Sequence, residues 1–115
     1  MRAAKTDGNQ SSIVDGLRAA GCSVHVTSSV GGGFPDLVCA YAGRNYLLEV
    51  KDPSKPLSDR KLTPDQARFF GSWRGPVCVV ETLDEALKAV QYIKPLDPSI
   101  PIGPRAVTGL AVVLR

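Results

Sequence analysis

The sequence predicts a small α/β domain whose helices and strands follow the order αβββαβα. Three observations predict it: apolar stripes at helical spacing, short apolar runs of strand character, and two capping boxes that mark helix starts. The chain has 115 residues, enough for one domain with one core. Its 43% hydrophobic and 22% charged residues are typical of a globular protein and argue against disorder or a fibrous structure.

The first helix is predicted over residues 10–20, where the apolar residues share one face. Ser11 or Ser12 is the expected N-cap, and Gly21 is the expected stop, because glycine adopts the left-handed backbone that often ends a helix. Residues 22–27 alternate between polar and apolar positions and predict a short strand.

A β-hairpin is predicted next. Residues 36–41 and 45–51 are strand-like, and Ala42–Arg44 form a tight turn in which Gly43 can take a positive φ. The polar, proline-containing residues 52–62 that follow predict an exposed loop.

The second half predicts a helix, a strand and a helix. Thr63 and Gln66 have capping-box spacing and open a helix that ends near Gly75. The apolar run Val77–Val80 suits a central strand. A second box, Thr82-x-x-Glu85, opens the last helix.

The C-terminal residues differ in kind, and we assign residues 1–94 to the domain and residues 95–115 to a Pro-rich tail. Prolines recur at every third residue from Pro95 to Pro104, the period of a stiff, extended polyproline II segment. The apolar Ala106–Leu114 needs a docking place, either as an edge strand of its own domain or on a partner subunit.

Several classes of protein are not expected. The longest apolar run, Leu37–Ala42, has six residues, against the ~18 that span a bilayer, so no membrane segment is predicted. No apolar signal region occurs in residues 1–20, so a cytoplasmic location is expected. The glycine run Gly31–Gly33 lacks the Lys-Ser or Lys-Thr of a phosphate loop, so no nucleotide cofactor is expected, and a flexible loop that lets a DNA backbone approach is favoured.

The cysteines, the histidine and the tryptophan give no separate site. Cys22, Cys39 and Cys78 are odd in number and contain no Cys-x-x-Cys pair, which argues against a disulfide framework and a zinc ribbon. We expect them in the core. His25 is expected to face solvent or a polar partner, and Trp73 is more often a core residue than a base-stacking platform.

Positive charge is local. Residues 44–74 hold seven basic and four acidic residues, which accounts for a net charge of +3. Such a stripe suits DNA or RNA, although many ordinary surfaces carry one. The candidates for phosphate contacts, whose alternative is a solvated face, are Lys55, Arg60, Lys61 and Arg68.

Two acids and a lysine form the predicted reactive group. If the hairpin turns on Ala42-Gly43, Asp36 lies opposite Glu49 with their Cβ atoms about 5 Å apart. Lys51 projects from the same face, because strand side chains alternate.

Two carboxylates this close repel each other unless a cation lies between them, and oxygen ligands suit Mg²⁺ or Mn²⁺. Such an ion can polarise a phosphodiester and activate water, while Lys51 orients that water or offsets charge on the phosphate. The Glu-x-Lys spacing alone is weak evidence. The alternative is an ordinary Glu49–Lys51 ion pair beside an Asp36 that merely starts a strand.

Three segments together resemble the PD-(D/E)xK nuclease superfamily, specifically its small stand-alone VRR-NUC members of viral type. The resemblance covers about residues 9–92 and rests on three segments: Gly33-Phe34-Pro35-Asp36-Leu37, Leu48-Glu49-Val50-Lys51, and Leu62-Thr63-Pro64-Asp65-Gln66-Ala67-Arg68-Phe69.

This resemblance implies a restriction-endonuclease-like αβββαβ core with a mixed central sheet, here followed by a further helix and the tail. It implies that Asp36, Glu49, Lys51 and Gln66 form the active site, with the Val50 carbonyl as a further metal ligand. It also implies a homodimeric endonuclease that acts on branched DNA, as Holliday-junction resolvases do, in the cytoplasm of a host cell if the chain is viral. Gln66 is equally well explained by its capping position.

One departure from the family concerns the first helix, where members often place a glutamate near the metal. Glu49 is the first glutamate of this chain, and Gln10 or Ser12 occupies that region. A catalytically inactive nucleic-acid-binding module is therefore the main alternative. A partner-binding protein that uses the Pro-x-x-Pro tail is a second one.

Overall fold

The computed structural model describes residues 8–95, in which a four-stranded mixed sheet is combined with three α-helices and one 3₁₀ helix. The elements are α1 (Gln10–Ala19), β1 (Ser23–Val26), β2 (Leu37–Tyr41), β3 (Arg44–Val50), η1 (Leu57–Arg60), α2 (Pro64–Ser72), β4 (Val77–Val80) and α3 (Leu83–Ala89). The predicted α/β class and the order αβββαβα are confirmed. The sequence analysis missed η1 inside the polar loop. Residues 96–115 and both predictions for Ala106–Leu114 lie outside the described residues.

The sheet has the strand order β1-β2-β3-β4, with antiparallel pairing up to β3 and parallel pairing between β3 and β4. The hairpin register is the predicted one: Tyr41 lies opposite Arg44, and Leu37 lies opposite Leu48. Ala42 and Gly43 form the turn with φ values of 51° and 81°. Such positive φ values give the turn a twist that matches the strands.

Helices α1 and α3 cover one face of this sheet and form the core with it. The fully or almost fully buried apolar side chains are Ile13, Val14, Leu17, Leu37, Cys39, Tyr46, Leu48, Val50, Val80, Ala86 and Val90. The two helices approach closely at Gly16, where a Cβ atom would come within 2.4 Å of the Leu83 side chain. None of the helices within residues 8–95 has the length and apolar character that would let it cross a membrane.

The N-cap of α1 lies earlier than predicted, although the helix begins at residue 10 as expected. Ile13 N donates to Asn9 O at 3.2 Å, so Asn9 is the N-cap and the prediction of Ser11 or Ser12 is wrong. Ser12 instead donates its hydroxyl to Asn9 O at 3.0 Å. The C-terminal prediction holds, since Gly21 follows the helix with φ 100°.

The prediction that Val77–Val80 is a central strand fails for the sheet that residues 8–95 form. Within residues 8–95, β4 pairs with β3 alone and lies at one edge of the sheet. Val80 is buried in the core, whereas Val79 points to the opposite face and is 39% exposed. Apolar runs occur in strands that are buried on one face as well as in strands that are buried on both. The run alone therefore does not distinguish an edge strand from a central strand.

Helix α2 lies on the other face of the sheet from α1 and α3. Its Gln66 reaches Glu49 and Lys51, whose side chains alternate with the core residues Leu48 and Val50. In the part of the chain that the structure describes, α2 buries none of its side chains. Trp73, at its C-terminal cap, is 43% exposed, so the prediction of a core tryptophan is wrong.

The cysteines are free thiols, and Cys22 and Cys39 are buried as predicted, while Cys78 is half-buried. Burial, with a smaller contribution from the neighbouring Cys22, raises the pKa of the Cys39 thiol to about 12. Burial also raises the pKa of Cys22. Both thiols are therefore neutral in the folded protein at pH 7. His25 is exposed, as predicted.

Alkaline pH should destabilise the fold through Cys39. The unfolded thiol ionises near its ordinary pKa of 9.0, whereas the folded one does not, so the stabilisation is complete below pH 9 and is lost as pH rises towards 12. Urea unfolding should show that the stability advantage of wild type over Cys39→Ala shrinks by about 1.4 kcal/mol between pH 8 and pH 10. An unchanged advantage would show that the folded thiol ionises freely.

Candidate active site

Asp36 stands at the open end of the β2–β3 hairpin. It precedes β2 by one residue, and the hairpin register continued by one step places it opposite Glu49. Its Oδ2 atom accepts a hydrogen bond from Val50 N at 2.9 Å. The carboxylate is thereby fixed against the end of β3.

The backbone before Asp36 is held by Thr27. Thr27 N donates to Asp36 O at 2.7 Å, and the Thr27 hydroxyl donates to Pro35 O at 2.7 Å. The loop between β1 and β2 that contains Gly31–Gly33 is called the glycine loop. These two bonds connect the end of the glycine loop to the end of β1. The backbone carbonyls of Pro35 and Asp36 are therefore both hydrogen-bonded, which fixes the backbone that carries the Asp36 side chain.

Glu49 and Lys51 form a buried ion pair on the same face as Asp36. Glu49 is 3% exposed and Lys51 is 7% exposed, and Lys51 Nζ lies 3.7 Å from Glu49 Oε2. Charges buried this deeply require partners, because desolvation otherwise outweighs their attraction.

Gln66, on α2, forms hydrogen bonds with both charges. Its Nε2 donates to Glu49 Oε2 at 2.9 Å, and its Oε1 accepts from Lys51 Nζ at 2.9 Å. The same Oε1 also accepts from Thr63 N at 2.9 Å, while Gln66 N donates to the Thr63 hydroxyl at 3.2 Å. The predicted capping role of Gln66 is confirmed, and the same amide group also contacts both charges.

One cleft with a volume of about 780 Å³ is lined by the side chains of Asp36, Glu49, Lys51 and Gln66. Its walls come from the glycine loop, the end of the hairpin, η1 with the residues after it, and the first turn of α2. The remaining residues that line it are Ser28, Gly31, Gly33, Phe34, Ser58, Asp59, Lys61, Leu62, Thr63 and Asp65.

The predicted phosphate-contacting residues are not brought together here. As far as residues 8–95 define the cleft, Lys61 lines it, and the other three do not. Arg60 Nη1 pairs with Glu81 Oε1 at 3.3 Å. Arg68 pairs with Asp65 on the exposed side of α2, and Lys55 is exposed on the polar loop.

The first helix contributes a neutral group beside the cleft. Gln10 is 4% exposed and exchanges hydrogen bonds with the cleft residue Ser28, with Nε2 donating to Oγ at 3.2 Å. Ser12 is exposed and bonds to Asn9, so Gln10 is the residue of the two that approaches the cleft.

Asn9 is a positioning residue that the sequence analysis missed. Its Nδ2 donates to Lys51 O at 3.0 Å and to Glu81 O at 2.8 Å, which joins the start of α1 to the ends of β3 and β4. An Asn before a helix is a common N-cap, and no local pattern indicates that its side chain bonds elsewhere.

The glycine loop and α2 meet at Gly33. It has φ 85°, and a Cβ atom there would lie 2.3 Å from Asp65 O. Beside this contact, Phe34 meets Phe69 edge-on with ring centroids 5.2 Å apart. Close backbone approach and aromatic packing together hold α2 over the end of the hairpin.

The donor set fits a divalent cation. Asp36 and Glu49 project from one face of the hairpin, and carboxylate and carbonyl oxygens are the ligands that Mg²⁺ and Mn²⁺ take. Asp36, Glu49 and the Val50 carbonyl would hold the ion, with other positions left to water or substrate oxygens. Within residues 8–95 no three His, Cys, Asp or Glu side chains gather as a metal site.

Comparison of the chain with protein-family models, with curated proteins and with solved structures finds no match.

Replacing Gly33 by alanine should displace α2 from the cleft. Gly33→Ala meets the Asp65 backbone, whereas Gly32→Ala, at φ 65°, meets nothing within 4 Å. Both variants carry the cost of a left-handed alanine, so the difference isolates the contact. In urea unfolding Gly33→Ala should lose about 1–3 kcal/mol more stability than Gly32→Ala.

The emission of Trp73, the sole tryptophan of the chain, provides the second readout. It should change in the folded Gly33→Ala protein, because Trp73 packs beside Phe34 and Phe69, and it should stay unchanged in Gly32→Ala. Equal stability losses and unchanged emission in both variants would contradict the close contact between Gly33 and α2.

Proposed function

We propose that this chain is a metal-dependent DNA endonuclease with a restriction-endonuclease-like core that hydrolyses phosphodiester bonds, selectively in branched DNA. The observation that carries the proposal is the Gln66 amide, which bridges Glu49 and Lys51 at 2.9 Å on each side within one cleft. An ordinary surface ion pair needs no such third group and is not buried. The resemblance of Asp36, Glu49, Lys51 and Gln66 to the PD-(D/E)xK pattern adds support.

Each side chain has a distinct role in this proposal. Asp36 and Glu49 hold Mg²⁺ or Mn²⁺ with the Val50 carbonyl, and the ion when bound supplies Lewis-acid activation of the phosphodiester and of water. Lys51, fixed by Gln66, orients the attacking water and offsets negative charge that develops on the phosphate. Gln66 restrains Lys51 and contacts water or a phosphate oxygen.

Substrate binding in this proposal depends on the basic side chains in and near the cleft and on the assembly of two chains. Lys61 in the cleft contacts the phosphate backbone directly, and Lys55 and Arg68 contribute from the surrounding surface. Arg60 is engaged with Glu81 and supports the fold around the cleft instead. By resemblance to the stand-alone members of the family, a homodimer acting on two strands of a junction in the cytoplasm is part of the proposal.

A catalytically inactive nucleic-acid-binding module is the second candidate, and one observation favours it. Gln10 is buried and hydrogen-bonded to Ser28. In this region, members of the nuclease family that the sequence resembles often have a glutamate near the metal. A neutral amide binds a cation more weakly than a carboxylate does.

A cleavage assay separates the two candidates. Four-way junction, flap and plain duplex DNA are incubated with Mg²⁺, with Mn²⁺ and with chelator. We expect metal-dependent cleavage of the branched substrates, as paired nicks on symmetrically related junction strands if the enzyme is a homodimer. Lys51→Ala should lower the rate at least about 100-fold, the order expected for loss of a group acting on the attacking water.

The matched control is Lys88→Ala, which removes an equal charge from an exposed position on α3. Its rate should remain within about twofold of wild type, since the lost surface charge is screened. Cleavage in chelator, or equal rates for Lys51→Ala and wild type, would contradict the proposed mechanism. Junction binding without cleavage in either metal would support the inactive module.

A further inference from the structure

An aromatic shelf adjoins the cleft and consists of Phe34, Phe69 and Trp73. The Phe69 and Trp73 rings stack with centroids 5.1 Å apart and an interplanar angle of 20°. Phe34 meets both edge-on, at 5.2 Å from Phe69 and 6.5 Å from Trp73. The shelf thus joins the glycine loop to the C-terminal end of α2.

Phe34 makes the shelf continuous with the reactive group, because it lines the same cleft as Asp36 and Lys51. The shelf therefore borders the cleft in which a phosphate of the proposed substrate would lie. This continuity distinguishes the shelf from exposed apolar side chains elsewhere on the domain, such as Ile93.

Trp73 is unusually open for a residue with two aromatic neighbours. One face of its indole lies against Phe69, and 43% of the residue is exposed. A Cβ atom added at Gly75 would lie 3.0 Å from Trp73 Nε1, so Gly75 borders that edge of the ring. Tryptophan is the residue whose burial would yield most in a core, so this exposure requires an explanation.

The charges around Trp73 suit a nucleic acid. Arg74 follows it directly and is exposed, and Arg68, with a side chain that is 72% exposed, precedes the shelf residue Phe69 on α2. The Arg68–Asp65 pair is a surface pair of small net energy, so a phosphate can replace the carboxylate. A nucleobase stacks on an aromatic face irrespective of its sequence, while flanking arginines hold the backbone.

We propose that Trp73 stacks on an unpaired nucleobase adjacent to the scissile phosphate, so that the preferred substrate is DNA with at least one unstacked nucleotide. Such nucleotides occur at flaps and single-stranded ends, and at a four-way junction where a base pair at the branch point opens, whereas continuous duplex keeps its bases in the helix. This inference rests on the proposed nuclease function for its reaction, but stacking itself needs no metal and no cleavage.

Trp73 is the only tryptophan of the chain, so its fluorescence reports on the shelf alone. The full chain is titrated in chelator with single-stranded oligonucleotide, with four-way junction and with blunt duplex, and binding is followed separately by the anisotropy of labelled DNA. DNA with unpaired bases should quench the emission and protect it from acrylamide. Blunt duplex should bind at least about fivefold more weakly, by loss of one stack, and should leave the emission unchanged.

Variants test the same point without fluorescence. Trp73→Ala should weaken binding of single-stranded DNA by about 5- to 150-fold, the range for loss of one base–aromatic stack. Trp73→Phe should retain most of the affinity. Ile93→Ala, which shortens an exposed apolar side chain beside Tyr41 at the turn end of the hairpin, should match wild type. Circular dichroism confirms that each variant is folded.

Binding of single-stranded DNA with no change in Trp73 emission would overturn the inference, as would equal affinity of Trp73→Ala. A blue shift that depends on protein concentration in the absence of DNA would overturn it as well, because the shelf would then be a contact between copies. Junction cleavage without any stacking signal would leave the nuclease proposal standing and remove the shelf. A stacking signal without cleavage would support the shelf and count against the nuclease.

Discussion

The burial of one carboxylate and one ammonium group at the end of β3 is the constraint on which the rest of the site depends. Glu49 and Lys51 are almost fully removed from water, and removal of either partner of such a pair costs about 3–5 kcal/mol. The Gln66 amide offsets the desolvation of the pair, because it forms a hydrogen bond to each of the two charges. Because Gln66 also caps α2, the start of that helix and the charge pair form one unit.

This arrangement gives the two faces of the sheet different properties. The face covered by α1 and α3 is a packed apolar core, which fixes the ends of β2 and β3 rigidly. The other face holds α2, which buries none of its side chains fully among the described residues and is held there by contacts that include the Gln66 bonds, the backbone contact at Gly33 and the ring packing of Phe34 on Phe69. A helix attached by so few buried groups belongs to the part of a protein that opens at low free energy. The cleft thus has one rigid wall and one wall that can adapt to a polymer.

The parts of this account that the sequence predicts are those set by local chemistry. The Ala42-Gly43 turn determines the hairpin register, and that register brings Asp36 opposite Glu49. The capping box predicts where α2 begins, although not that the Gln66 carbonyl serves Lys51 as well. The unpredicted parts depend on packing between distant segments. Periodicity cannot tell that β4 is an edge strand, or that Trp73 faces outward, because it reports which side of an element is apolar and not what covers that side.

The most direct test of the central claim is to locate a bound cation at the hairpin end. Anomalous scattering from crystals grown with Mn²⁺ should show one peak at coordination distance from the Asp36 and Glu49 carboxylates, about 2.0–2.3 Å as for hard cations with oxygen ligands. The peak should be absent in Glu49→Gln crystals under the same conditions. A wild-type map with no peak between these carboxylates, or with a peak held by other residues, would contradict the account.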